Sequence, residues 1–331
     1  MRYRKLFALL CSAVLLASGA FSFGVVSANA TDHEENPCAT PPSSLTLSDI
    51  ENAIGIPVSH NDTEDRSNLT PICHEQFCSS YNSNTKLPDW VVERLSPAIT
   101  DGKNTRPNVK FKPDKNLPSD KASAKDSDYT KSGLARGHQA ASADFKCSAG
   151  WMKQTFTFAN AVPQIQNGFN GGIWRSLEDH VQKLAKARDE IYVITGPVEM
   201  DPDGKQTIVE KRNNACDHRI VLAGLSKLKK ASICNANDAD SSKKCDAGVS
   251  VPAGLFKIIY VPETNRAFGF LMSNEDHRKL KKRGVDNTAY LEEWRTSIGA
   301  IEEAANLKFF TNLNIRSSRV HKEHCTETRW R

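Results

Sequence analysis

Beyond residue 30 the sequence has no apolar run approaching the roughly 20 residues that a membrane-crossing helix needs, so a helical membrane protein is not expected. It has no internal repeat, which argues against a solenoid or propeller. Nor does it have a strong charge of one sign: 44 Lys+Arg stand against 39 Asp+Glu, a formal net charge of +5. Overall charge therefore announces no polyanionic partner. Low hydrophobicity is not among its lacks. With 39% hydrophobic residues over 331 positions, the chain can build a real core, as one large domain or two small ones.

Residues 1–30 stand apart. Arg2, Arg4 and Lys5 precede an apolar stretch from Leu6 to Ala17, and Ala28-Asn29-Ala30 offers small residues for cleavage after Ala30. This reads as a signal peptide, with a secreted or periplasmic destination and no membrane anchor. Cys11 lacks the small residues that a lipid-attachment site places before it. Removing the segment lowers the formal net charge to +2 and leaves eight cysteines, at 38, 73, 78, 147, 216, 234, 245 and 325. An even count in an oxidising compartment favours disulfides, with Cys73/Cys78 and Cys234/Cys245 the nearest pairs. A zinc site at His321, His324 and Cys325 is the competing reading.

Residues 31–70 form a polar lead-in with one apolar patch from Ile50 to Val58, and Lys112 to Ser132 reads as a surface loop. A strand is expected from Thr155 to Val162, ended by Pro163. A helix follows, with Ile173, Trp174, Leu177, Val181, Leu184 and Ala185 recurring on one face. Residues 190–198, 256–262 and 266–273 read as buried strands, Asn235 to Gly248 as an inserted loop, and Asn287 to Asn306 as a second long helix. Strands interleaved with few helices imply an α+β fold with a mixed sheet core. Local basic clusters occur at Lys227, Lys229 and Lys230, and at Arg278, Lys279, Lys281, Lys282 and Arg283, and the tail from residue 316 is basic.

Within about 40 residues the chain presents Arg136, His138, a strand, Asn170 and then Glu178. A neutral imidazole can take a proton from water near neutral pH. The arginine fork neutralises phosphate. An amide oxygen suits magnesium, which keeps most of its waters, and a nearby carboxylate can hold those waters. Together these describe metal-assisted phosphodiester hydrolysis. Each residue also has a plain alternative: His138 as a hydrogen-bonding loop residue, Asn170 as a helix cap, and Glu178 as a solvated helix position.

The ordered segments "ARGHQA" (135–140), "NAVPQ" (160–164) and "FNGGIWRSLE" (169–178) resemble the DNA/RNA non-specific endonuclease family, whose ββα-metal (His-Me finger) core carries D-R-G-H, N-x-x-P-Q, an Asn and W-x-x-L-E. "CHEQFCSSYN" (73–82), "LPDWVVERL" (87–95) and "YVITGPV" (192–198) extend the similarity, placing a nuclease domain at 71–315. The resemblance implies His138 as general base, Arg136 beside the phosphate, Asn170 as metal ligand and Glu178 as the residue fixing water around the metal. Trp174 becomes a packing residue, while Asn160, Pro163 and Gln164 shape the turn beneath the site. It further implies Mg2+, with Mn2+ substituting, DNA and RNA as sequence-independent substrates, products with 5'-phosphate ends, and a homodimer; an inhibitor or immunity protein is not legible. Two departures stand out: Ala135 where the family has aspartate, and Gln182 where some members have arginine. Lys183 or the cluster around Lys279 is a candidate replacement charge. The departures motivate the alternative, a catalytically impaired nuclease fold that binds nucleic acid.

Overall fold

A computed structural model describes residues 36–60, 66–199, 207–209, 220–222 and 248–313. Seven antiparallel strands form its central sheet, in the order Arg295–Thr296, Arg266–Ser273, Gly254–Val261, Ile191–Val198, Leu87–Leu95, Phe77–Asn82 and Leu69–Cys73. The α+β architecture is the one expected, and three of its strands match the buried runs in the sequence within two residues. Side chains alternate across the sheet: Ile191 and Val193 enter one core with Leu255 and Ile259, while Tyr192 and Ile194 enter a second with Phe256 and Ile258. Because both faces are covered, these strands read as continuous apolar runs rather than as an alternation. No helix among the described residues is long and apolar enough to cross a membrane.

The first core also receives the helix Arg175–Lys186, through Leu177, Val181, Leu184 and Ala185, at the three- and four-residue steps that place them on one face. The second receives the lead-in, which differs from its expected loose form. Thr46 caps the helix Leu47–Ala53 reciprocally with Asp49, and Leu45, Ile50 and Ile54 are fully buried. Three apolar side chains among polar neighbours were too sparse a signal for this. The expected helix from Asn287 to Asn306 is instead two helices, Asn287–Glu292 and Ile298–Ala305, with the edge strand Arg295–Thr296 between them. Ser297 starts the second helix by accepting from the Ala300 N–H at 3.1 Å.

Two disulfides are described. Cys73–Cys78 joins directly opposed residues of neighbouring strands, as their proximity suggested. Cys38–Cys147, separated by 109 residues, ties the lead-in to the segment that follows His138, a link that spacing alone does not select. The expected Cys234/Cys245 pair, the His321/His324/Cys325 zinc reading and the residue 1–30 leader lie outside the described residues. In the chain-entropy account, closing the 109-residue separation stabilises by roughly 4–5 kcal/mol and the 5-residue one by about 2 kcal/mol. Urea unfolding of the C38S/C147S and C73S/C78S variants is therefore expected to show the larger loss in the first; equal losses would contradict this ordering.

Candidate active site

The RGH segment is a strand, Leu134–His138, paired antiparallel with Ala161–Ile165. The absence of a side chain at Gly137 leaves room for the buried end of Gln164, which a Cβ at this position would have to displace. The partner strand begins later than expected and runs through Pro163. The Pro163 carbonyl accepts from Asn274 Nδ2 at 3.0 Å, away from the hairpin, so its missing N–H removes no ladder bond. Asn160 shapes the adjoining turn with every side-chain group it has: Oδ1 accepts from the Ala140 N–H, and Nδ2 donates to the carbonyls of Ala140 and Thr155. It is fully buried and is not among the residues that line the cleft described below.

Between hairpin and helix, residues 166–174 make an irregular turn, broken by non-helical backbone at Asn167, Gly168 and Gly172. Gly168 has φ +83°, and a Cβ there would sit 2.0 Å from Asp276 Oδ1. That close approach braces the turn against the 273–283 segment, with Phe169 stacked on His277 at 5.4 Å. Asn170 lies five residues before the regular helix, so it does not cap it. Its Nδ2 donates to Gln166 Oε1 at 3.0 Å, leaving Oδ1 as the atom with lone pairs to offer. Trp174 is fully buried in the first core, the packing role expected of it.

Arg136, His138, Asn170 and Glu178 line one cleft of about 840 Å³. His138 is buried between Phe111 and Phe156, at ring distances of 4.7 and 4.9 Å, and its Nε2 has no hydrogen-bond partner among the described residues. Burial, reinforced by the Arg106 charge, pushes its pKa down to about 3, so the imidazole is neutral at physiological pH. Arg136 donates to the Asp126 carbonyl at 3.0 Å, pairs with its carboxylate at 2.8 Å and lies 5.2 Å over the Tyr129 ring. The loop from residue 112 thus delivers the residues that orient this guanidinium. Burial pushes Glu178 up to about 8; Lys257 opposes that shift, while Asp144 and Asp179 add to it.

Further cations line the cleft that motif spacing did not identify: Lys103, Arg106, Lys146 and Arg175. Neither Lys183 nor the cluster around Lys279 is among the lining residues. Gln182 does line it, and Ala135 lies opposite Gln164 in the hairpin. One amide oxygen, with Glu178 and Asp179 nearby, fits a hard, strongly hydrated divalent cation. Among the described residues no cluster of three His, Cys, Asp or Glu side chains forms an all-protein cage.

A family model described as DNA/RNA non-specific endonuclease matches residues 57–315. The chain is 30% identical to the mitochondrial nuclease EXOG of Xenopus laevis, over 71% of this chain and 56% of that protein. It is 28% identical to the mitochondrial endonuclease G of Caenorhabditis elegans, over 74% and 69%, and 29% identical to nuclease C1 of Cunninghamella echinulata, over 73% and 82%. The match thus spans little more than half of the Xenopus protein. A crystal structure of an EndoG/EndoGI complex shares the fold, with TM-score 0.55 and 23% identity, over 78% of this chain and 96% of that one. The first two relatives correct the expectation of a secreted or periplasmic protein, since both are mitochondrial. The misreading has a compositional cause: residues 1–30 carry basic residues and no acidic one, a feature that export signals share with mitochondrial transit peptides.

The depressed His138 pKa makes a pH prediction. As pH falls below about 6.5 the unfolded chain takes up a proton at His138 and the folded chain does not. Stability contributed by this residue is therefore lost from pH 6.5 downward towards 3, at about 1.4 kcal/mol per pH unit. Between pH 7 and pH 5 the wild type is expected to lose about 2 kcal/mol more than His138→Gln in urea titrations. Equal losses would show that the imidazole is not desolvated.

Proposed function

The chain belongs to the DNA/RNA non-specific endonuclease family, and on that premise we propose that it hydrolyses phosphodiester bonds of DNA and RNA, with His138 as general base. The observation that carries this reading is the cleft, where a desolvated imidazole shares one space with an amide, a carboxyl and five cationic side chains. A neutral His138 accepts the proton of an attacking water placed in line with the scissile bond. Glu178 fixes the waters that surround the bound cation. Arg106 and Arg136 face the phosphate, and Arg136 arrives pre-oriented by Asp126 and Tyr129. Asn170 would hold a single divalent cation, magnesium with manganese as substitute, which would supply Lewis-acid stabilisation of charge on the phosphate and leaving oxygens. Products carry 5'-phosphate and 3'-hydroxyl ends.

The cationic lining suits the sugar-phosphate backbone, which carries no direct sequence information, so cleavage is sequence-independent and weakened by salt. Ala135 removes a carboxylate but neither the base nor the amide, which favours an active enzyme over a binding protein that has lost catalysis. By analogy with its mitochondrial relatives, we place the protein in the mitochondrion.

Purified protein is expected to degrade plasmid DNA and RNA with magnesium and to stop with EDTA. His138→Ala, with an unchanged circular dichroism spectrum, is expected to lose roughly a hundred- to ten-thousand-fold in rate. A folded variant that cuts as fast as wild type would overturn the assignment.

A further inference from the structure

Lys257 is only 1% exposed, in the middle of the sheet. Its Nζ donates to Thr195 Oγ1 on the adjacent strand at 2.6 Å and to the Gln139 carbonyl at 3.3 Å, and lies 5.3 Å over the Trp174 ring. Gln139 follows His138, and Trp174 lies between Asn170 and Glu178. One side chain therefore touches both halves of the cleft from below. Two further carboxyls are buried beside it: Glu93, from the Leu87–Leu95 strand, and Asp144, from the turn Ser142–Phe145. The two carboxyls lie against one another, with Gln182 beside Asp144.

Charge arithmetic limits what this group can be. Two or three ionised carboxylates against one ammonium would leave uncompensated negative charge in a dry site, a severe penalty. Burial raises Glu93 well above the ordinary carboxyl range and Asp144 up to about 6, and the lysine pulls both back down. The balanced state has a proton on Glu93, an ionised Asp144 and a charged Lys257. The same ammonium also favours the ionised form of Glu178.

We propose that Lys257 is a positioning residue of the nuclease site, a buried cation that locks the residue after His138 to the Trp174 side of the cleft and balances the carboxyls beneath it. This rests on the nuclease reading above. Lys257 touches neither substrate nor cation; it acts through Gln139, Trp174 and Glu178. Its removal therefore affects turnover and cation affinity while leaving the affinity for nucleic acid, set by the cationic lining, unchanged.

The test compares wild type, Lys257→Met, Asp144→Asn/Lys257→Met and Thr195→Val by thermal melting, Mn2+ binding followed by electron paramagnetic resonance, and cleavage kinetics on DNA. Lys257→Met strands Asp144 and is expected to melt lower. The double variant removes the stranded carboxylate itself and recovers part of that loss. Both nevertheless bind Mn2+ about 10-fold more weakly and turn over about 10- to 100-fold more slowly at unchanged KM. Thr195→Val removes the 2.6 Å anchor without changing any charge, and shows the same split to a smaller degree. A double variant with wild-type Mn2+ affinity and kcat would overturn the inference, leaving Lys257 only as a neutraliser of buried charge. If neither Lys257 variant folds, Thr195→Val decides, and wild-type values there overturn it. A wild type that cuts nothing would instead remove the nuclease reading itself.

Discussion

The desolvation of His138 is the constraint from which the site follows. An imidazole enclosed by Phe111 and Phe156 stays neutral because no solvent is available to stabilise its charged form. The result is a base that needs no deprotonation before it can act. Beside it in the hairpin, Gly137 leaves room for the buried end of the Gln164 side chain.

The sheet supplies the rigid support for that hairpin. Its first-core face carries Lys257 beneath the cleft, while the second face is sealed by the lead-in helix and by Ile298–Ala305. Cys38–Cys147 then fixes the chain on the far side of the turn that contains Asp144. Beneath and around the cleft the fold buries His138, Glu93, Asp144, Gln164 and Lys257 between its apolar faces. Polar groups collected at one place in the interior are where a fold gives up stability for chemistry.

Much of this was legible in the sequence. The strand runs near 190, 256 and 266 were readable because both faces of the sheet are covered. The helix face from Ile173 to Ala185 followed from its periodicity, and the four residues singled out by motif order line one cleft. The helix start was less legible, since the irregular turn at 166–174 depends on Gly168 meeting Asp276, more than 100 residues later. Lys103, Arg106 and Lys146 belong to loops with no motif of their own, and only the folded chain brings them to the site. Lys257 was hidden inside an apolar strand, where a single lysine reads as an interruption; its meaning depends on Gln139 and Trp174, contacts that no local pattern encodes. The destination of the N-terminal segment was misread because a basic, acid-free apolar leader is shared by two kinds of targeting signal.

The most direct test of the central claim, that His138 is the base, is chemical rescue of His138→Ala by imidazole in the presence of magnesium. Removing the side chain leaves a space flanked by Phe111 and Phe156 into which free imidazole fits. Cleavage is expected to rise with imidazole concentration in the variant and to be unaffected in the wild type. A folded variant that stays inactive at every imidazole concentration, or one that cuts equally well without it, would contradict the account.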